Sequence, residues 1–282
     1  MPTLPPEHPS APDTAPHRHR QVAESYGTDA ERYDRARPRY PQALVDRVVA
    51  ALPRTAAAGT AVLDVGCGTG ILARQFAAAG CDVLGVDTDA RMTGPARRLG
   101  LEAEVAAFET WDPAGRTFDA VVSGQAWHWV DPAAGAGKAA RVLRPGGLLA
   151  TIWNAAQPTP ELAAAFAAVY RSLLPDSLAA RQWTTPTTGD AYAALCDQAA
   201  HGIRATGGAF DAPERWRFDW EHTYTRDAWL DQVPTTGDHT RLPPAQLEEL
   251  LSGIGAAIDA MGGSFTLRYA TVAVVARRTD TA

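Results

Sequence analysis

The spacing of apolar residues changes several times along the chain, and each change marks an element. From Val22 the pattern is helical, and Pro41 suits the first turn of a second helix whose Leu44, Val45, Val48, Val49 and Leu52 recur at i, i+3, i+4 spacing. After Gly59 the period shortens. Ala61 to Val65 reads as a strand, a glycine-rich stretch follows, and a helix carries Ile71, Leu72 and Phe76 up to Gly80 at the expected C-cap. Val83 to Val86 is a second strand, Asp89 caps a helix that ends near Gly100, and a third strand ends at Val105. Phe118 to Ser123, a helix around Ala139 to Leu143, and Gly147 to Trp153 complete the series. Strands alternating with helices at this rhythm predict an α/β fold: a doubly wound, mostly parallel sheet with helices on both faces.

Beyond Trp153 the alternation breaks. Residues 155 to 213 are alanine-rich and helical, punctuated at Thr184 to Gly189 and at Gly207-Gly208. Arg215 to Tyr224 alternates as a strand, Pro243 to Met261 is helical, and Phe265 to Ala276 forms a last strand or hairpin arm. The division expected is a flexible tail over 1–20, lid helices and a ligand-binding α/β core over 21–154, a helical cap inserted over 155–213, and closing strands and helices over 214–282. There is no internal repeat.

Composition narrows the class without naming a function. With 282 residues, 46% apolar and 21% charged, the chain excludes a disordered polymer, a collagen-like fibre and a disulfide-stapled miniature. Cys67, Cys81 and Cys196 show no CxxC spacing, so neither a disulfide framework nor a metal site is expected. A net charge of −6 and no basic cluster argue against a nucleic-acid partner. No apolar run reaches the ~18 residues of a membrane span, and the proline-rich start lacks an apolar signal core. A cytoplasmic monomer or homodimer is the expectation.

The chemistry concentrates in Val62-Leu63-Asp64-Val65-Gly66-Cys67-Gly68-Thr69-Gly70. A strand ending in alternate glycines lets the backbone approach a ligand at the carboxyl edge of the sheet. A phosphate loop needs a closing Gly-Lys-Ser/Thr, and no lysine is present. A dinucleotide fingerprint needs glycine or alanine where Ile71 stands, and Asp64 would repel a pyrophosphate. A ligand with a cationic or hydroxylated end remains. Asp87, 23 residues after Asp64 at the end of the next strand, can accept both hydrogens of a ribose diol.

With these residues in place the chain resembles the class I S-adenosylmethionine-dependent methyltransferases from about Tyr26 to Arg277. The Asp-x-Gly-x-Gly-x-Gly loop is followed in order by Ala107-Phe108-Glu109, by Phe118-Asp119-Ala120-Val121-Val122-Ser123, and by Arg141-Val142-Leu143-Arg144-Pro145-Gly146-Gly147. The resemblance implies S-adenosylmethionine as cofactor and S-adenosylhomocysteine as product. It puts Asp64, Gly66, Cys67 and Gly68 at the methionine half, Asp87 and Thr88 at the ribose, and Met92 and Phe108 about the adenine. Many relatives carry an aspartate where this chain has Ala107, so a backbone group would meet the exocyclic amine here. The run from Tyr33 to Pro41, with Gln125-Ala126-Trp127-His128-Trp129, is similar to the trans-aconitate methyltransferase type. Tyr33 and Arg37 would then belong to a lid, with Arg37 on the cofactor carboxylate and Gln125 beside the cofactor.

Methyl transfer from a sulfonium is an in-line displacement that rests on positioning and exclusion of water. His128 is the candidate base. Tyr26, Trp127, Trp129, Trp153 and Asn154 are candidate acceptor contacts, joined by His222 and His239 from the cap. The reading is a methyltransferase acting on a small molecule at an oxygen, carboxylate or hydroxyl. Its alternatives are a nitrogen or carbon acceptor in a small molecule or peptide, or a cofactor held for a non-transfer role such as cyclisation.

Overall fold

The computed structural model describes residues 25–53, 59–175, 177, 180, 183, 192–236 and 239–279. The expected tail, the start of the first helix at Val22 and the Thr184–Gly189 punctuation lie outside them. A seven-stranded sheet runs in the order β3-β2-β1-β4-β5-β7-β6. Strands β1 (Thr60–Val65), β2 (Cys81–Asp87), β3 (Glu102–Val105), β4 (Phe118–Gly124) and β5 (Leu143–Gln157) are parallel. Strand β6 (Glu214–Thr225) pairs antiparallel with β7 (Ser264–Arg277), which pairs antiparallel with β5. The strand order reverses between β1 and β4, which opens a crevice at their carboxyl ends.

Alternation along the strands fills both faces. Leu63, Val121, Leu149 and Val274 pack on one side, Val62, Val122, Ala150 and Val275 on the other. The second face is covered by α2 (Gln42–Ala51) through Leu44, Val45 and Val48 and by α3 (Ile71–Ala78) through Leu72 and Phe76. Helix α1 (Ala30–Ala36) precedes them, and α4 (Ala90–Arg98) buries Ala96 against Cys67 and Leu101. On the first face lie Ala136 and Ala139 of α5 (Pro132–Val142) and Cys196, Ala200 and Ile203 of α7 (Ala193–Arg204).

A separate apolar cluster forms the cap. It joins Leu162, Phe166 and Tyr170 of α6 (Pro160–Leu173), Trp229 of α8 (Arg226–Gln232) and Leu250, Ile254 and Ile258 of α9 (Pro244–Ala260) to Tyr224, Leu267 and Tyr269 of the β6–β7 hairpin. The stretch expected as one helical insertion over 155–213 is therefore divided between two cores. Helix α6 enters the cap, whereas α7 lies against α5 so closely that a Cβ on Gly202 would come 2.2 Å from the Pro132 carbonyl oxygen. Small residues on both helices permit that approach.

Candidate active site

At the end of β1 the chain turns through three glycines. Gly66, Gly68 and Gly70 take left-handed φ values of 68°, 54° and 83°, a region that Cβ disfavours. The amides of Gly66 and Cys67 both donate to the Val86 carbonyl, at 2.7 and 3.2 Å, which folds the loop across the end of β2. The loop is fixed from below by Asp87. Its Oδ2 accepts from the Gly68 amide at 2.8 Å and its Oδ1 from the Asp89 amide at 2.9 Å. Burial pushes the Asp87 carboxyl above its ordinary range, partly offset by those amides. Asp89 caps α4 by accepting from the Arg91 amide, as the sequence pattern predicts.

Asp64 is the electrostatic focus. It is 1% exposed, and neither carboxylate oxygen meets a well-aligned donor among the described residues. Burial raises its pKa to about 8, with Asp87 adding to the rise and the Ala73 amide opposing it. Both carboxylates line a cavity of about 380 Å³ over the switch point of the sheet. On the β2–β3 side Thr88, Met92, Ala106 and Phe108 close it; Ala107 is not among the lining residues, and its neighbour Ala106 lines the cavity there.

The β4–β5 side is built from uncharged groups. Gln125 follows β4 with φ 56°, its amide donating to the Ile152 carbonyl at 2.8 Å and its side chain to the Asn154 carbonyl at 3.4 Å. The same side chain hydrogen-bonds the Tyr192 hydroxyl. Asn154 is buried, its Oδ1 accepting from Thr271 Oγ1 at 2.6 Å and its Nδ2 donating to the Arg39 carbonyl at 3.4 Å. Trp220 Nε1 in turn donates to Thr271 Oγ1 at 2.8 Å, so the amide's orientation is set across three strands.

His128 lines this half, but in a state unlike the expected base. Its Nδ1 accepts from Trp153 Nε1 at 3.3 Å, and burial pushes its pKa down to about 4. The lone pair is engaged and the ring stays neutral, so Nε2–H is a donor. Trp153 is 1% exposed and acts through that bond instead of lining the cavity. Trp129 lines it, whereas Trp127 turns into the core against Phe108 with ring centres 6.2 Å apart. The cap histidines are elsewhere. His239 is buried against Tyr170 with Nδ1 on the Val233 carbonyl, and His222 is exposed on β6 beside Tyr224.

The roof comes from the N-terminal segment. Tyr26, Tyr33 and Arg37 line the cavity, with the guanidinium carbon 5.9 and 5.0 Å from the two ring centres. Arg37 Nη2 donates to the Thr235 carbonyl of the cap at 2.6 Å. Tyr40 also lines the cavity, its backbone clamped by the Gln75 side chain through bonds of 3.0 and 2.8 Å. Sequence reasoning missed Tyr40, Thr69, Glu109, Tyr192, Leu195 and Thr236 as lining residues. Tyr40 had a signal in its motif; Tyr192 and Thr236 reach the cavity only through tertiary packing.

These groups fit S-adenosylmethionine. An ammonium could satisfy the unpaired oxygens of Asp64, a ribose diol can use the remaining lone pairs of Asp87, and the buried Thr69 hydroxyl, which has no hydrogen-bond partner among the described residues, can donate to a carboxylate. Among the described residues no group of three or more His, Cys, Asp or Glu is placed to hold a metal ion, and no helix is long and apolar enough to cross a membrane. The fold and cavity are similar to those of a methyltransferase domain of the class I, S-adenosylmethionine-dependent type. Residues 63–151 match the family model described as a methyltransferase domain.

The chain is similar to the methyltransferase Rv3342 of Mycobacterium tuberculosis, at 39% identity over 138 residues, 48% of this chain and 54% of that protein. A malonyl-[acyl-carrier protein] O-methyltransferase of Enterobacter lignolyticus is 36% identical over 152 residues, 50% of this chain and 59% of its own length. The chain thus spans little more than half the length of these relatives. A solved structure from Anaeromyxobacter dehalogenans named for the type II methyltransferases superposes with a TM-score of 0.58 at 24% identity, covering 86% of this chain and 97% of that one. At that identity the likeness concerns the fold.

Proposed function

We propose that the chain transfers the methyl group of S-adenosylmethionine to an oxygen of a small molecule. Asp64 holds the methionine ammonium, Thr69 its carboxylate, Asp87 the ribose, and Met92 with Phe108 the adenine. The cofactor supplies the electrophilic methyl group. The rest of the work is positioning: Gln125, Tyr192, Asn154 and Trp129 shape the space over β4 and β5 where the acceptor enters, and the roof excludes water.

The observation that carries the choice of oxygen is the state of His128. With Nδ1 engaged by Trp153 and the ring neutral, His128 is no base for an ammonium or a carbon acid. An oxygen acceptor that ionises by itself needs none, and His128 Nε2–H can hold it. The relation to an enzyme named as an O-methyltransferase supports the same reading.

The test is incubation with methyl-labelled S-adenosylmethionine and a metabolite extract, followed by mass spectrometry. A product that gains the label on an ester or ether oxygen is expected, and its rate should show no inflection near the ordinary histidine pKa. Label on nitrogen or carbon, or such an inflection lost in His128→Ala, would refute the oxygen reading.

A further inference from the structure

Strand β6 is the last in the sheet, hydrogen-bonded to β7 on its inner side. That pairing runs from Glu214 to Thr225 without a register shift, and the strand holds no proline, glycine or lysine. Edge strands are ordinarily kept from pairing by brevity, proline, bulges or charge. Here the strand is long and regular, and its charges are arranged to favour pairing. Among the described residues no strand meets its outer edge, so a row of backbone donors and acceptors is presented as a template.

Alternation divides the side chains of β6 between two faces. Arg215, Arg217, Asp219 and Glu221 stand exposed on one, in the order plus, plus, minus, minus. Trp216, Phe218 and Trp220 lie on the other. Trp216 is buried with the guanidinium carbon of Arg47 from α2 4.1 Å from its ring centre, Trp220 stacks on Tyr269 with ring centres 4.5 Å apart, and Phe218 and Trp220 stay half-buried. In the charged row Arg217 meets Asp219 of its own strand at 2.8 Å, Arg215 meets Asp197 at 2.7 Å, and Glu221 meets Arg268 at 2.9 Å. These pairs are exposed and individually weak, so they can exchange partners easily.

A row in this order is complementary to itself when read antiparallel. With Phe218 of each copy on a two-fold axis, Arg217 stands opposite Asp219 of the partner subunit, Arg215 opposite Glu221 of the partner subunit, and Trp216 opposite Trp220 of the partner subunit. Residues of the same parity meet, so outward amides meet outward carbonyls. Shifting the pairing by two residues sets Arg217 against its own copy in one direction and Asp219 against its own copy in the other. A shift of one turns the charged row onto the aromatic row, and a parallel in-register pairing stacks like charge on like. We propose that β6 is a homodimer interface: two copies of this chain join edge to edge in the Phe218-centred register, and their seven-stranded sheets become one continuous sheet. No residue of β6 lines the cavity, so the interface is separate from the cofactor site.

The test is sedimentation velocity on the full chain at about 50 µM. Wild type should sediment as a dimer. Arg217→Asp sets acid against acid on both sides of the axis, and Asp219→Arg sets base against base. Each variant alone should be monomeric, its dimer affinity lowered by about tenfold or more. An equimolar mixture of the two variants restores every opposite-charge pair and should recover the dimer, which also shows that both variants fold. A wild type that stays monomeric would overturn the proposal. So would a dimer indifferent to both changes, which places the interface elsewhere, and so would a mixture that remains monomeric.

Discussion

Asp64, which we propose binds the cofactor, shows at the residue scale how such a group is held at the expense of the fold. In the folded chain its pKa is about 8; in the unfolded chain it is near the ordinary aspartate value of ~3.9. Between these values the folded state keeps a proton that the unfolded state has lost, so stability falls as pH rises and the penalty is complete above the folded value. A displacement of that size is worth several kcal/mol. Asp64→Asn should therefore flatten the decline of the melting temperature between about pH 5 and 8 and be the more stable protein at the upper end. The same substitution should weaken S-adenosylhomocysteine binding by about thirtyfold or more, read by calorimetry; an unchanged affinity would remove Asp64 from the cofactor site. Gln125 stores strain in a second way, a left-handed backbone in a residue with a side chain. Gln125→Gly should gain about 0.5–1 kcal/mol in urea unfolding while losing the bond to Tyr192 and with it most label transfer. A variant that is stabilised and fully active would make Gln125 dispensable. The acids and glycines were legible because they follow one another within a few residues of a strand end. The partners of His128 and Arg37 were not, because Trp153 and Thr235 reach them only through the sheet and the cap.

At the scale of elements, the periodicity of the chain predicted the strands of the sheet and the helices between them, since each buries one face locally. It did not predict which core a helix would join. Helices α6 and α7 are both alanine-rich, yet α6 carries Leu162, Phe166 and Tyr170 into the cap and α7 presents Ala199, Ala200 and Gly202 to the sheet side. The difference lies in side-chain volume at the interface, which composition averages away. Gly202→Ala tests the assignment, because its new Cβ would fall 2.2 Å from a backbone oxygen that cannot swing aside. Overpacking of this kind costs about 1–3 kcal/mol, so the urea midpoint should drop, and Tyr192 at the head of α7 should shift with it. An unchanged midpoint would mean that α7 does not seat against α5 as described. The placement matters for function, since α7 carries Tyr192 and Leu195 into the cavity wall.

For the molecule as a whole, α1 is the element through which the cap and the sheet communicate. It is tied to the sheet side by Arg74 to Asp34 at 2.6 Å and Arg98 to Glu31 at 2.9 Å, and to the cap by Arg35 to Asp231 at 2.8 Å, Arg32 to Asp231 at 3.2 Å and the Arg37 bond to Thr235. Surface pairs of this kind are individually weak. Helices α1 and α8 have seven residues each, far too short to persist undocked, so their order depends on being held together over the cavity. They should open at much lower free energy than the strands beneath, and a ligand under the roof should suppress that opening by mass action. Hydrogen exchange with and without S-adenosylhomocysteine should show residues 30–36 and 226–232 gaining protection together, while the already protected core of β1 and β4 changes little. Asp231→Ala removes the acceptor shared by Arg32 and Arg35. In that variant the ligand should still protect residues 30–36 but no longer residues 226–232, and it should dissociate several-fold faster in stopped-flow displacement. If residues 226–232 stay as protected as in wild type, Asp231 is not what joins the roof to the cap, and the Thr235 bond to Arg37 must carry that link alone.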